Sequence, residues 1–156
     1  MKAQFRWLLV LLGCSLPLLA LAYPKKPASA TVPFSIEHNR MLVDVEVQRK
    51  DGSFRRARAW VDTGNQSFFL SEPLARDLGM DVDAAKAQTG EGRNIVPPPT
   101  GARIGGMPLQ FDGVKSSLNL VAPPGLHVDA NLPSTVLTRF DVVFAYPKLR
   151  LTLRAP

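Results

Sequence analysis

Apolar and polar residues alternate over 41–48, with Val43, Val45 and Val47 on one side and Leu42, Asp44, Glu46 and Gln48 on the other. A period of two predicts a strand with one face buried. Asp51-Gly52 predicts a hairpin turn, and the return strand over 54–61 alternates Ala57, Ala59 and Val61 with Arg56, Arg58 and Trp60. Phe34-Ser35-Ile36 predicts a first short strand and Phe68-Phe69-Leu70 another. The period then changes. Residues 71–79 predict a helix: Ser71 caps it, Pro73 is tolerated in its first turn, Leu74 and Leu78 share a face, and Gly79 stops it. Residues 84–103 are rich in Gly and Pro, and the prolines at 97–99 cannot lie in a central strand. Residues 107–114 and 115–121 are expected to pair around Asp112-Gly113, and 135–140 to make a helical turn. Strands are expected at 142–144 and 149–153, flanking Pro147-Lys148. Many short strands, turn signals between them and no internal repeat predict an all-β domain, a closed barrel or sandwich with one or two short helices.

The first 22 residues follow a different logic. Lys2 and Arg6 precede an apolar run from Trp7 to Leu21, which closes on Ala20-Leu21-Ala22. A basic start, a short apolar stretch and a small-x-small end form a secretory signal peptide. The run is shorter than the ~20 apolar residues a membrane span needs, and Pro17 interrupts it. Lipidation at Cys14, after Leu11-Leu12-Gly13, is the alternative processing route. Residues 23–33 read as a flexible leader, and 34–156 as the folded domain.

Composition narrows the chemistry. A chain of 156 residues makes one domain of ordinary size. Removing residues 1–22 leaves 134 residues with a net charge of +4 and no cysteine, because Lys2, Arg6 and Cys14 go with them. An exported protein without cysteine fits a bacterial periplasm better than a eukaryotic extracellular space. One Cys and two His exclude a disulfide framework and a thiolate zinc site, and make an all-imidazole metal centre a poor expectation. No cofactor is implied. Arg55, Arg56 and Arg58 have no interleaved stacking aromatics, so they read as a solvated strand face rather than a nucleic-acid patch. His38 and His127 lie among polar or turn-prone neighbours and read as surface or turn residues. No Gly-x-Ser-x-Gly elbow supports a serine nucleophile, and Gly90-x-Gly92 lacks the third glycine of a dinucleotide loop.

One tripeptide carries chemistry. Asp62-Thr63-Gly64 follows the strand end Ala59-Trp60-Val61. A short carboxylate at a strand-to-loop junction is aimed where it can activate water. Thr63 can hold the junction by a hydrogen bond, and Gly64 permits a close backbone approach. An Asp that merely bonds its own turn is the plainer alternative for an isolated triplet.

The surrounding stretch, residues 59–80, resembles the active-site segment of retropepsin-like aspartic proteases: an apolar strand, Asp-Thr-Gly, a second apolar strand, and a short helix ending in Leu-Gly. Residues 102–109 are similar to that family's strand after the flap, and 135–153 to the closing helix and hairpin of its exported bacterial members. The resemblance covers about 34–156. It implies peptide-bond hydrolysis by two aspartates, with Asp62, Thr63 and Gly64 as site residues and 84–103 as the flap. Since the chain holds one Asp-Thr-Gly, it also implies a homodimer with a peptide or protein substrate, paired through terminal strands near 34–36 and 149–153. The chain departs from the pattern in two places that bear on the site. Asn65 follows the triplet where Ala or Ser is usual. Asn131-Leu132-Pro133-Ser134 replaces an apolar-apolar-Gly strand, and Pro133 cannot donate a ladder hydrogen bond, which weakens the expected support of the catalytic loop. That departure motivates the alternative of a catalytically silent periplasmic binding domain.

Overall fold

A computed structural model describes residues 28–156. The expected signal peptide, Cys14 and residues 23–27 of the expected leader lie outside the described residues. The first strand, β1 (Ser29–Glu37), begins five residues before the expected Phe34. Ala30, Val32 and Phe34 are buried in alternation, so the pattern of two runs straight through a stretch whose Pro, Ala and Ser content reads as leader. β1 also changes partner midway. Residues 29–33 pair with β10 (Arg150–Arg154), and Phe34 to Glu37 pair with β2 (Arg40–Gln48). The switch falls at Pro33, which has no N–H to give to either neighbour. His38 and Asn39 make the β1–β2 turn, both with positive φ, as a two-residue hairpin requires.

β2 pairs with β3 (Phe54–Asp62) in the expected hairpin, Leu42 opposite Trp60 and Gln48 opposite Phe54. Val43, Val45 and Val47 join Ala57 and Ala59 in the main core, while Leu42 and Trp60 pack with Leu126 in a smaller cluster. The arginines of β3 are each paired with carboxylates: Arg55 with Asp77 and Asp129, Arg56 with Asp44, and Arg58 with Glu37. This pairing explains their run without any basic patch.

β4 (Phe68–Phe69) leads into α1 (Glu72–Asp77). The Ser71 hydroxyl accepts from Leu74 N–H, and Leu74 and Leu78 are both buried, as expected. Gly79 follows with φ +77°. A second helix, α2 (Val82–Ala87), occupies part of the stretch expected to be a flap. Asp81 caps it, Val82 and Ala85 are buried, and the pairs Arg76–Asp83 and Lys86–Glu72 tie it to α1. Beyond it come a 3-10 turn at Gly90–Gly92, an isolated bridge from Ile95 to Ser117, and the three prolines. Among the described residues no flap hairpin forms there.

β5 (Ala102–Ile104) and β6 (Met107–Leu109) form a hairpin through Gly105-Gly106, rather than the expected pairing of 107–114 with 115–121. Both glycines have positive φ, which suits a two-residue turn. A Cβ on Gly105 would also stand 2.8 Å from a Val32 methyl, so this turn packs against β1 only as glycine. β7 (Ser116–Ser117) instead runs parallel to β4, β8 (Ala130–Pro133) runs parallel to β3, and α3 (Ser134–Leu137) follows β8. β9 (Asp141–Ala145) and β10 close the chain as an antiparallel pair.

The result is all-β with short helices. Its hydrogen-bonded path has ends at β6 and β9, so no closed barrel forms among the described strands. The terminal strands expected to pair between subunits are engaged within the chain: β10 lies between β1 and β9, and β1 is taken by β10 and β2. The free edge next to them belongs to β9. No helix among the described residues is long and apolar enough to cross a membrane.

One surface pair gives a pH signature. Arg103 on β5 donates two hydrogen bonds to Glu46 on β2, at 2.8 and 3.0 Å, and holds its carboxyl below the usual value of 4.5. A carboxyl lowered by folding contributes stability above its unfolded pKa and loses that contribution as the pH falls through the folded one. Glu46→Gln should therefore melt below wild type at pH 7, with the two curves converging as the pH drops below the glutamate range. The pair is about two-fifths exposed, so the difference should be small and salt-sensitive.

Candidate active site

Asp62 is the last residue of β3, opposite Pro133 at the end of β8. Parallel pairing of β3 with β8 brings two strand ends, and the loops leaving them, to one place. The pairing is clamped upstream by Asp129. Its carboxylate accepts from the Arg55 guanidinium and from Arg58 N–H, and its own N–H donates to Arg58 O. Removing that carboxylate would orphan the Arg58 N–H and leave the Arg55 guanidinium with Asp77 as its remaining carboxylate partner. Asp129→Ala should lower stability by about 1–3 kcal/mol, measured by urea denaturation.

Two residues beyond Asp129, the Asn131 side chain is wholly buried. Its Oδ1 accepts from Phe69 N–H at 2.6 Å, and its Nδ2 donates to Ser67 O at 3.0 Å and to Asp62 Oδ2 at 3.3 Å. One side chain thus joins the carboxylate to both ends of the return into β4. The loop between is fastened further. Ser134 gives its N–H and its hydroxyl to Asn65 O, and the Thr135 hydroxyl donates to Gln66 O. Asn65 Oδ1 accepts from Ser67 N–H at 2.8 Å, a side-chain turn that explains Asn at this position.

The expectation that 131–134 supports the loop poorly is corrected by these contacts. Pro133 does lack the N–H, but it ends the strand and stands at the residue just before α3, where no ladder donor is needed. Side chains of Asn131, Ser134 and Thr135 supply the support instead. The signal was present in the sequence as a departure, yet no spacing rule shows that a polar residue in a strand will be buried and fully bonded.

Thr63 and Gly64 are both exposed, and Asp62 is half-buried. Among the described residues the Thr63 hydroxyl makes no hydrogen bond, so it does not hold the junction within the chain. A Cβ on Gly64 would meet only Asp62 Oδ1, at an ordinary 3.9 Å. The chain itself therefore imposes no close approach at Gly64. Asp62 presents Oδ2 to Asn131, and its Oδ1 lies on the Gly64 side.

A groove of about 500 Å³ adjoins the loop, lined by Ser67, Phe69, Ile95, Pro97, Val114 and Lys115 among others. Its floor is the β4–β7 pair and one wall is the segment after the 3-10 turn. A larger cavity of about 1050 Å³ lies around Phe54, Phe111 and the prolines. Phe54 begins β3 and Asp62 ends it, about 26 Å apart along a strand, while Pro97 and Pro98 line this cavity and the groove alike. His38, at the β1–β2 turn, and exposed His127 stand outside the contacts described for Asp62.

No family profile and no curated protein matches the chain. Solved structures do. A retropepsin-like aspartic protease from Rickettsia conorii aligns at 19% identity with a TM-score of 0.54, over 81% of this chain and 92% of that one. An aspartic proteinase from Irpex lacteus aligns at 14% identity with a TM-score of 0.49, over 83% of this chain and 47% of that one. At such identities the likeness concerns the fold, and the chain has the all-β fold of the retropepsin-like structures.

Proposed function

We propose that the chain is an aspartic-type endopeptidase acting as a homodimer, in which Asp62 of one protomer works with Asp62 of the partner subunit. The observation that carries this reading is the presentation of Asp62. It is braced from behind by Asn131, while Thr63 and Gly64 stand exposed and unengaged, as a surface would that completes itself against a second copy. The fold shared with an aspartic protease supports it.

In this reading a water lies between the two carboxyls. The ionised Asp takes a proton from the water as its oxygen bonds to the peptide carbonyl carbon. The protonated partner polarises the carbonyl and gives up its proton to the forming oxyanion. The tetrahedral diol then breaks its C–N bond: the leaving nitrogen takes a proton from one carboxyl while a diol hydroxyl returns its proton to the other, so the dyad ends with the single proton it began with. Two carboxyls this close cannot both ionise easily, so they share one proton and activity favours acidic pH. That behaviour is general to aspartic dyads and is not specific to this chain. Peptide or unfolded protein in the periplasm, reached by export through residues 1–22, is the substrate class.

A mixed peptide library at several pH values, assayed over a protein concentration series with sedimentation in parallel, tests the reading. Cleavage at acidic pH whose specific activity rises with the dimer fraction is expected. Cleavage by a strict monomer, linear in concentration, would overturn the two-copy site. A dimer that cleaves nothing would return the chain to the silent binding domain.

A further inference from the structure

Asn131 does more than fill the space behind the loop. Phe69 N–H can only donate and Ser67 O can only accept, so the two ends of the Asn131 amide cannot be exchanged: Oδ1 faces Phe69 and Nδ2 faces Ser67 and Asp62. Both N–H bonds of Nδ2 are then engaged, one on a backbone carbonyl and one on Asp62 Oδ2. Nδ2 has no lone pair to offer a proton. Asp62 Oδ2 must therefore act as an acceptor on this side whether the carboxyl is charged or neutral. In a neutral carboxyl the carbonyl oxygen is the better acceptor, so it stays on Asn131 and the hydroxyl falls to the other oxygen. That oxygen, Oδ1, faces the Gly64 side of the loop.

We infer that Asn131 is a positioning residue that gives the two oxygens of Asp62 different tasks: Oδ2 is the fixed anchor, and Oδ1 carries the mobile proton and meets water, substrate and the partner's Asp62. The inference rests on the protease reading of Asp62. It deepens that reading by naming which oxygen reacts and which residue decides it. Asn131 touches no substrate and acts only through Asp62.

Asn131→Asp is the variant to test. It keeps the shape and the acceptor for Phe69 N–H but removes both Nδ2 donors, the one held on Asp62 Oδ2 and the one on Ser67 O, and sets a second carboxyl beside Asp62. Measured on the full mature chain, kcat should fall by about 10²-fold with KM within twofold, because the interaction matters to the reacting geometry rather than to binding. Asn131→Ala should show the same kcat loss together with a lower melting temperature. Unchanged kcat per folded molecule in Asn131→Asp would overturn the inference and leave Asn131 a brace of the loop alone. A second readout needs neither catalysis nor a folded Asn131 variant. The two side-chain amide protons of Asn131 should move in the NMR spectrum of Asp62→Ala, and during acid titration of the wild type. Signals indifferent to both would overturn the inference even if peptides are cleaved. Cleavage that survives loss of Asp62 would instead remove Asp62 from the chemistry, and with it the reading on which this inference rests.

Discussion

Asp62→Asn should lower kcat by about 10²–10⁴-fold, the range for loss of a positioned proton-transfer group, while leaving the fold intact. The variant is nearly the same size, and its amide oxygen can still accept from Asn131 Nδ2, the one side-chain hydrogen bond Asp62 makes among the described residues. The ladder pairing of β3 with β8 is backbone only and is untouched. Circular dichroism and melting temperature should therefore match wild type as hydrolysis of a peptide substrate disappears. The same variant probes assembly. Added in excess to wild type, it should suppress the remaining activity, because most wild-type chains would then be paired with a partner unable to share a proton. Wild-type turnover that ignores an excess of Asp62→Asn would overturn the site built from two copies. Retained turnover in the variant alone would remove Asp62 from the chemistry.

The positions that could be read from the sequence are those where local pattern and tertiary burial agree. The alternation of Val43, Val45 and Val47 survives into the structure because the whole strand lies between two neighbours and one side meets the core. α1 was legible through Ser71, Leu74, Leu78 and Gly79, since capping and helix-face burial are local effects. Four features were not, each for a different reason. β4 lies within the strand expected at 68–70, but its partner β7 is two residues long, too short to show any period, and the two pair in parallel across nearly fifty positions of sequence. α2 is six residues with two buried side chains, held by ion pairs to α1 that no window of sequence contains. The β5–β6 turn competed with Asp112-Gly113 for the same strand, and the contact of Gly105 with Val32 favours it only in three dimensions. Asn131 is the sharpest case. Hydrophobic patterning expects apolar side chains in a buried strand, and Asn131 is buried through three hydrogen bonds to residues more than sixty positions away. Departure from the pattern marked the right stretch but gave the wrong sign for its effect.

The helix behind the loop should prove as important to stability as Asp62 is to chemistry. Leu78 is 3% exposed and stands at the end of α1, where its N–H closes the last turn on Leu74 O. Its side chain joins Leu74, Val82 and the valines of β2 in the main core, so it pins α1 and α2 against the sheet that carries Asp62. Gly79 immediately after it takes φ +77° against the methylenes of Lys50, which limits how far the chain can settle into a cavity left at 78. Leu78→Ala should therefore cost about 2–5 kcal/mol in urea denaturation, from lost transfer energy and an incompletely filled void. Leu78→Met, which nearly conserves volume, should cost less than about 1.5 kcal/mol. The destabilised Leu78→Ala protein should still turn over peptide at the wild-type rate per folded molecule under conditions where it remains folded, because Leu78 touches neither Asp62 nor Asn131. A loss well below 2 kcal/mol would mean that α1 is not packed on the core as described. A kcat that falls with the substitution while the protein stays folded would mean that the helix sets the geometry of Asp62 through the Ser67–Leu70 segment.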